Sequence, residues 1–273
     1  MIILKANAGL CNKLLAIGSG LHLAKDIGCR LHVVWATDVH MSALFTELFE
    51  PVPDFTLHEF RIPNSSICRA VTSRMLPLLF SERRGVEKIL LHEKKFLESC
   101  RKRPSAIWRF SSCWEFYPAN DFSWLKPKSG IADRINNFSR LTEGCAFGLH
   151  IRRGDHVDAM KCSPLHLFYA KISELICSNP EVRIFLCTDD PRVKKDLCNL
   201  YPKHIVTRES VLSRYEKGGV ADALVDLWLL SNCRKIYGTY PSSFSLVASR
   251  IGKTEFEWVR DETRVGELHT AQK

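Results

Sequence analysis

A chain of 273 residues with 45% hydrophobic and 25% charged side chains has the composition of a globular protein with a full core, and its length suits two domains of moderate size. No uncharged apolar run approaches the ~18 residues that would span a bilayer, and Met1–Lys5 turns polar too early for a secretory signal, so a cytoplasmic location is expected. Eleven cysteines, an odd number with no Cys-x-x-Cys pair and no matching Cys/His ligand set, speak for reduced thiols and against a disulfide scaffold or structural zinc.

The net charge of +9 is uneven: residues 1–140 hold 20 Lys+Arg against 13 Asp+Glu, and residues 69–109 hold 11 against 4. Such a run is either a solvated face or a surface for an anionic acceptor, a membrane or nucleic acid. In chain order, Ile2–Ala6 reads as a strand, Asn7–Asn12 as a turn around Gly9, Lys13–Ile27 as an amphipathic helix and Arg30–Trp35 as the next strand. This is a βαβ opening of the Rossmann type, although the Gly-x-Gly-x-x-Gly fingerprint is absent after the first strand. Gly18 and Gly20 fall inside the helix, where small residues permit close helix–sheet packing. A helix start after a Gly turn also favours anions, and Asn12 stands there either to cap the helix or to touch a ligand.

From Thr37 to Ile131 the pattern is irregular. It predicts a short helix at Ser42–Phe49, a strand at Phe55–Phe60, a helical stretch at Val86–Cys100 and a strand at Ala106–Phe110. The aromatics Trp108, Phe110, Trp114, Phe116, Tyr117, Phe122 and Trp124 form either core and interdomain packing or a sugar platform. Pro127–Gly130 reads as a linker. Beyond it, strands at 145–152, 183–188, 204–207, 235–237 and 255–259 alternate with helices at 164–178, 191–201, 220–231 and 242–250. That alternation predicts a parallel, doubly wound sheet. The expected fold class is therefore α/β with two facing Rossmann-like domains, residues 1–140 and 141–273.

Polar groups gather where the strands of the second half end, which is where open α/β sheets bind ligands. The apolar run Cys145–Ile151 delivers His150, Arg152, Arg153 and Asp155 around Gly154. Adjacent guanidiniums on a strand point to opposite faces. One is expected to fork onto a phosphate and the other to pair with an acid such as Asp155; the alternative is a purely structural ion pair. Asp189 or Asp190 is expected to cap the helix that begins at Pro191. Asp222 and Asp226 share a helix face, and a carboxylate on so apolar a helix implies a specific partner. Ser242 stands at a helix start, as cap or as phosphate ligand.

With these residues in view, the sequence resembles the inverting GDP-fucose fucosyltransferase superfamily of GT-B fold, which includes α1,2-, α1,6- and protein O-fucosyltransferases. The resemblance rests on Ala8–Leu15, on His150-Ile-Arg-Arg-Gly-Asp155, on Leu186–Asp190, and on Asp226–Ser231 followed by Ser242–Ser245, in family order. It implies a glycosyltransferase that moves fucose from GDP-fucose to a glycan hydroxyl, with inversion and without a metal. It implies that Arg152 holds the donor's β-phosphate, that His150 supports it, and that Asn12 reaches the donor. Asp226 would read the guanine, and Ser242 and Ser243 would bind the diphosphate. The second domain would then be the nucleotide domain and the first the acceptor domain.

The sequence departs from the pattern at Cys11, where many members have Gly, and at His156 and Met160, where the α1,6 enzymes carry Lys and Glu. The general base is therefore sought in this chain's own residues: Asp158 first, His156 as rival, and Asp38 or Glu115 in the first domain as further candidates. Two other readings stand beside this one: a GT-B transferase for another sugar nucleotide, and a basic nucleic-acid-binding protein. Against the latter, residues 69–109 hold only Phe80, Phe96 and Trp108 as aromatics and no recognised nucleic-acid motif. The expected partners are a GDP-sugar donor and a glycan acceptor, with an anionic acceptor and a peripheral membrane association both open and no nucleic acid expected. The oligomeric state is not implied.

Overall fold

In the computed structural model the described residues are 1–37, 41–62, 81–82, 98–103, 105–154, 156–210 and 218–271. The chain divides into two compact units, Met1–Ser129 and Gly130–Lys273. The division falls before the helix Ser129–Thr142, so that helix belongs almost wholly to the second unit and does not close a domain ending at 140.

The first unit is built on a five-stranded parallel sheet. Its strands are β1 (Ile2–Ala6), β2 (Leu31–Ala36), β3 (Thr56–Phe60), β4 (Ser81–Glu82) and β5 (Trp108–Ser112), in the order β3-β2-β1-β5-β4. In β1 the alternate residues Ile2, Leu4 and Ala6 are fully buried, as a strand under a helix requires. The covering helix is α1 (Leu10–Asp26). Gly20 lets it approach the sheet: a Cβ there would lie 2.8 Å from Leu4 Cδ2 and 3.3 Å from a Leu31 methyl. The close packing expected at this glycine is thus present.

The helix expected at 42–49 shrinks to one turn, α2 (Phe45–Leu48), and the strand expected at 106–110 runs two residues later, as β5. Most of the basic stretch 69–109 and of the expected helix 86–100, together with Asp38 and Asp155, lies outside the described residues. Of the aromatics between 108 and 124, Phe110, Phe116 and Phe122 are buried in the core, Phe110 meeting Phe116 edge-on at 5.0 Å between ring centroids, and Trp108, Tyr117 and Trp124 are half-buried. Trp114 alone of this group stays well exposed.

The second unit opens with α3 (Ser129–Thr142) and carries strands β6 (Cys145–Ile151), β7 (Arg183–Thr188), β8 (Ile205–Val206), β9 (Lys235–Thr239) and β10 (Glu255–Val259). Its helices are α4 (Val157–Cys162), α5 (Leu165–Ser178), α6 (Pro191–Leu200), α7 (Gly219–Ser231), α8 (Ser243–Gly252) and α9 (Glu262–Ala271). The sheet is parallel throughout, in the order β10-β9-β6-β7-β8. Leu149, Ile151, Phe168, Ile172, Ile184, Leu186 and Leu197 form its core, each contributing about 1.5–3 kcal/mol by burial. The chain turns back on itself between β6 and β9, so the sheet has its switch point at the carboxyl ends of those two strands. Among the described residues, no helix is long and apolar enough to cross a membrane.

Candidate functional site

The end of β6 is locked to the end of β9. Thr239 is fully buried; its hydroxyl accepts a bond from the Arg152 N–H at 2.9 Å and donates to the His150 carbonyl at 3.0 Å. The two strand ends that flank the switch point are thereby fixed side by side. His150 projects here and is buried, its ring stacked on Phe244 of α8 at 4.8 Å between centroids. Burial, and secondly the nearby Arg152 cation, push its pKa down to about 3, so the imidazole is neutral. Its Nδ1 is buried and has no hydrogen-bond partner among the described residues. An orphaned polar atom in such a place carries a cost that a bound ligand would remove.

The two arginines take different partners, as the strand geometry predicts. Arg152 Nη1 pairs with Asp189 Oδ2, just beyond β7, and the Arg153 backbone N–H donates to the same carboxylate at 2.7 Å. Asp189 therefore orients the Arg152 guanidinium. Among the described residues the acid that pairs with Arg152 is Asp189, brought there by register, while the pairing expected of Asp155 lies outside the described residues. Ile151 lies opposite Thr188, which sets the residues that follow both strands against each other. Gly154 makes room for this pair, since a Cβ there would fall 2.5 Å from Asp189 Oδ2. Arg153 turns inward. It is buried, donates to the Ser163 carbonyl at 2.8 Å and lies over the Phe168 ring at 5.6 Å. Its role is structural.

The capping duty falls to Asp190, whose Oδ1 accepts from the N–H groups of Arg192 and Val193 at 2.8 and 3.3 Å. This leaves Asp189 for the arginine. Ser242 occupies the N-cap position of α8, yet its side chain makes no capping bond, and Ser243 begins the helix half-buried. The N–H groups of this first turn and the positive end of the helix dipole lie beside His150, through Phe244. His150, Arg152, Ser242 and Ser243 are thus brought to one switch point.

Asp226 sits one turn after Asp222 on α7 and has the specific partner that its burial demanded. Arg208, just past β8, donates through Nε to Asp226 Oδ1 at 2.9 Å and through Nη1 to Asp222 Oδ1 at 3.1 Å. Burial raises the Asp226 pKa, and Arg208 pulls it back. Arg208 escaped the sequence reading; the only signal was that two acids on an apolar helix need a cation. Ser163, the C-cap of α4, escaped it too, because a lone serine at a helix end is common and unremarkable in sequence.

Of the base candidates, His156 is the N-cap of α4, its Nδ1 accepting the Ala159 N–H at 3.1 Å. Asp158 lies half-buried in the first turn of α4. In the first unit Glu115 accepts the Ala119 N–H at 3.0 Å. Asn12 is the third residue of α1 and does not cap it; Gly9 holds the cap position. The next residue, Lys13, is the surprise of that helix. It is buried, over the Trp35 ring, and donates to the carbonyls of Ala6 at 2.8 Å and Ala36 at 3.2 Å, which end β1 and β2. No group of three or more His, Cys, Asp or Glu residues able to hold a metal ion occurs among the described residues.

No protein-family model matches the chain, and no curated protein matches it in sequence. Solved structures do match over nearly its whole length. The NodZ alpha-1,6-fucosyltransferase soaked with GDP-fucose aligns with TM-score 0.61 at 19% identity, covering 92% of each chain. The fucosyltransferase NodZ from Bradyrhizobium aligns with TM-score 0.59 at 19% identity, over 90% of this chain and 91% of that one. POFUT1 in complex with GDP-fucose aligns with TM-score 0.54 at 13% identity, over 94% of this chain and 97% of that one. At these identities the likeness is one of fold: α/β with two parallel sheets, similar to those of NodZ and POFUT1.

Proposed function

We infer that this chain is a glycosyltransferase that moves fucose from GDP-fucose to a glycan hydroxyl, with inversion and without a metal. One observation carries the reading: an oriented guanidinium, a neutral imidazole with an orphaned Nδ1 and a helix start without a side-chain cap meet at the switch point of the second sheet. That set suits a diphosphate. Arg152 contributes a planar fork, Ser242 and Ser243 contribute hydroxyls, and α8 contributes N–H groups. The solved structures of like fold, crystallised with GDP-fucose or GDP, support a GDP-sugar as donor.

Cleavage of the sugar–diphosphate bond leaves negative charge on GDP and positive charge on the sugar. Fixed donors at the leaving diphosphate stabilise the first without any rearrangement. The acceptor hydroxyl must lose its proton as the new bond forms. Asp158 is the better base, for His156 spends Nδ1 as the cap, so its neutral tautomer carries a proton on Nε2. Asp226 serves the guanine edge. The first unit, with Asn12 at its helix start, takes the acceptor side, and the protein works in the cytoplasm.

Thermal stabilisation by GDP, UDP and ADP tests the donor reading. GDP at about 100 times its dissociation constant adds ~2.7 kcal/mol, and equal effects of UDP or ADP would overturn the choice of guanine. Transfer from GDP-fucose onto arrayed glycans, with the anomeric product identified, tests the reaction. It proceeds in EDTA; activity lost in chelator and restored by Mn²⁺ would overturn metal independence.

A further inference from the structure

Asp226 does not stand alone in the second unit. Its carboxylate is bonded by Arg208 Nε at 2.9 Å and by the Ser210 hydroxyl. Arg208 is in turn held by Asp222, accepting at Oδ1 from Nη1 at 3.1 Å and at its backbone carbonyl from Nη2 at 2.9 Å. The guanidinium also lies over the Phe138 ring at 5.1 Å. The same Oδ1 of Asp222 also accepts from Arg134 of α3. Exposure rises through the cluster from the inside out: the side chain of Arg208 is 3% exposed, Asp222 10%, Asp226 17% and Arg134 38%. Arg208 is thus sealed, and Asp226 is the more open of the two carboxylates it holds.

A sealed cation that touches two acids on one helix face fixes their orientation, and it opposes the protonation that burial would impose. We propose that Arg208 is a positioning residue for nucleotide recognition, holding Asp226 oriented and ionised for the N–H edge of the base of a guanosine diphosphate. This rests on the reading of Asp226 as the guanine-facing acid. Selection of the base then depends on a residue that the nucleotide does not touch.

Among the described residues, the groups that face Asp226 can be named. They are Arg208 and Ser210 from the segment after β8, Asp222 from α7 itself, and the Cys187 thiol of β7, which donates to the Asp226 carbonyl at 3.7 Å. Lys194 of α6 reaches the cluster through the Arg208 carbonyl at 2.5 Å, and Arg134 through Asp222. The charged residue of α8, Arg250, is in its last turn, where Gly252 abuts Ser231 at the far end of α7. A carboxylate accepts the guanine N–H groups only when ionised, so discrimination is present above the Asp226 pKa and lost as the pH falls through it. Burial raises that pKa and Arg208 lowers it. Without Arg208 the loss begins at a higher pH.

The test is equilibrium binding of GDP and ADP to the full chain between pH 5 and 9. In Arg208→Gln the midpoint of the GDP-over-ADP preference moves up by about one pH unit or more, and GDP affinity at neutral pH falls ~10-fold. ADP affinity, set by the diphosphate, changes little, and Arg208→Lys restores part of the midpoint. A midpoint unmoved in Arg208→Gln, or equal losses for GDP and ADP, overturns the proposal. Should Arg208→Gln fail to fold, Arg134→Gln removes the outer cation, and a smaller upward shift is expected; no shift there overturns it as well. A wild-type protein without GDP preference would instead sink the proposed function, and preference retained in Asp226→Asn would sink the assignment of that acid.

Discussion

The two units share a plan and differ in what they place at its edge. Each has a five-stranded parallel sheet with a switch point beside its central strand. In the first unit the strand ends are tied by a buried lysine to main-chain carbonyls, those of Ala6 and Ala36. In the second, arginines meet carboxylates: Arg152 with Asp189, and Arg208 with Asp222 and Asp226. Carbonyls hold a cation without forming a second site for anions, which makes Lys13 a lock. A guanidinium oriented by a carboxylate beside a helix start is the kind of group that suits an anion. The same topology therefore yields a clamp in one half and a candidate binding site in the other, and the strand-end side chains decide which.

The sharpest way to break this contrast is to exchange the effects. Arg152→Ala should weaken GDP binding by about 10²-fold or more, with Arg152→Lys nearly as damaging because an ammonium lacks the planar fork. Lys13→Met should instead cost about 2–4 kcal/mol of stability, from two carbonyls left unsatisfied, with GDP affinity kept within about threefold. Calorimetric titration and denaturant unfolding of both variants measure this. If Lys13→Met abolishes GDP binding in a folded protein, the first unit is no mere clamp.

Acid sharpens the contrast next. The His150 pKa of about 3 in the folded chain lies below its ordinary 6.5, so the unfolded chain binds the extra proton between these values. The stability of the second unit is then whole above pH 6.5 and falls by up to ~1.4 kcal/mol per pH unit as the pH drops toward 3. His150→Phe should flatten that acid limb; an unchanged limb would show that His150 is not the group responsible.

Gly154→Ala should lower GDP affinity by ~10-fold with little loss of stability, since its methyl would push Asp189 off Arg152. The smallest effect belongs to the first unit. Ala8 carries φ of 65°, the left-handed region that suits glycine. Ala8→Gly should raise stability by about 1 kcal/mol, and a loss would mean that this turn is not strained.

Much of this was legible in the sequence. An apolar run that ends in His150, Arg152, Arg153 and Gly154 announced a central strand with a polar tip, and Gly20 announced a close helix. What stayed hidden depends on partners far along the chain. Arg152 and Asp189 are 37 residues apart, and only the register of β6 against β7 makes them neighbours. A buried Asp226 called for a cation, yet nothing in the irregular residues around Arg208 marked it as the one. Nothing in the sequence singled out Lys13, since charge usually signals exposure, and its burial follows from carbonyls that exist only once two strands have ended beside it. The two-residue β4 could not be foreseen, being too short to carry a period.

Lys13 also makes the first unit open to chemical timing. Its amine is 1% exposed and hydrogen-bonded, whereas Lys25 and Lys126 lie on the surface of the same unit. An acylating reagent would consume the surface amines at once and reach Lys13 only when the carbonyl clamp lets go. The lag between the two, read by mass spectrometry of the chain's peptides, is a clock for the opening of one half of the molecule, supplied by its own sequence and needing no engineered label.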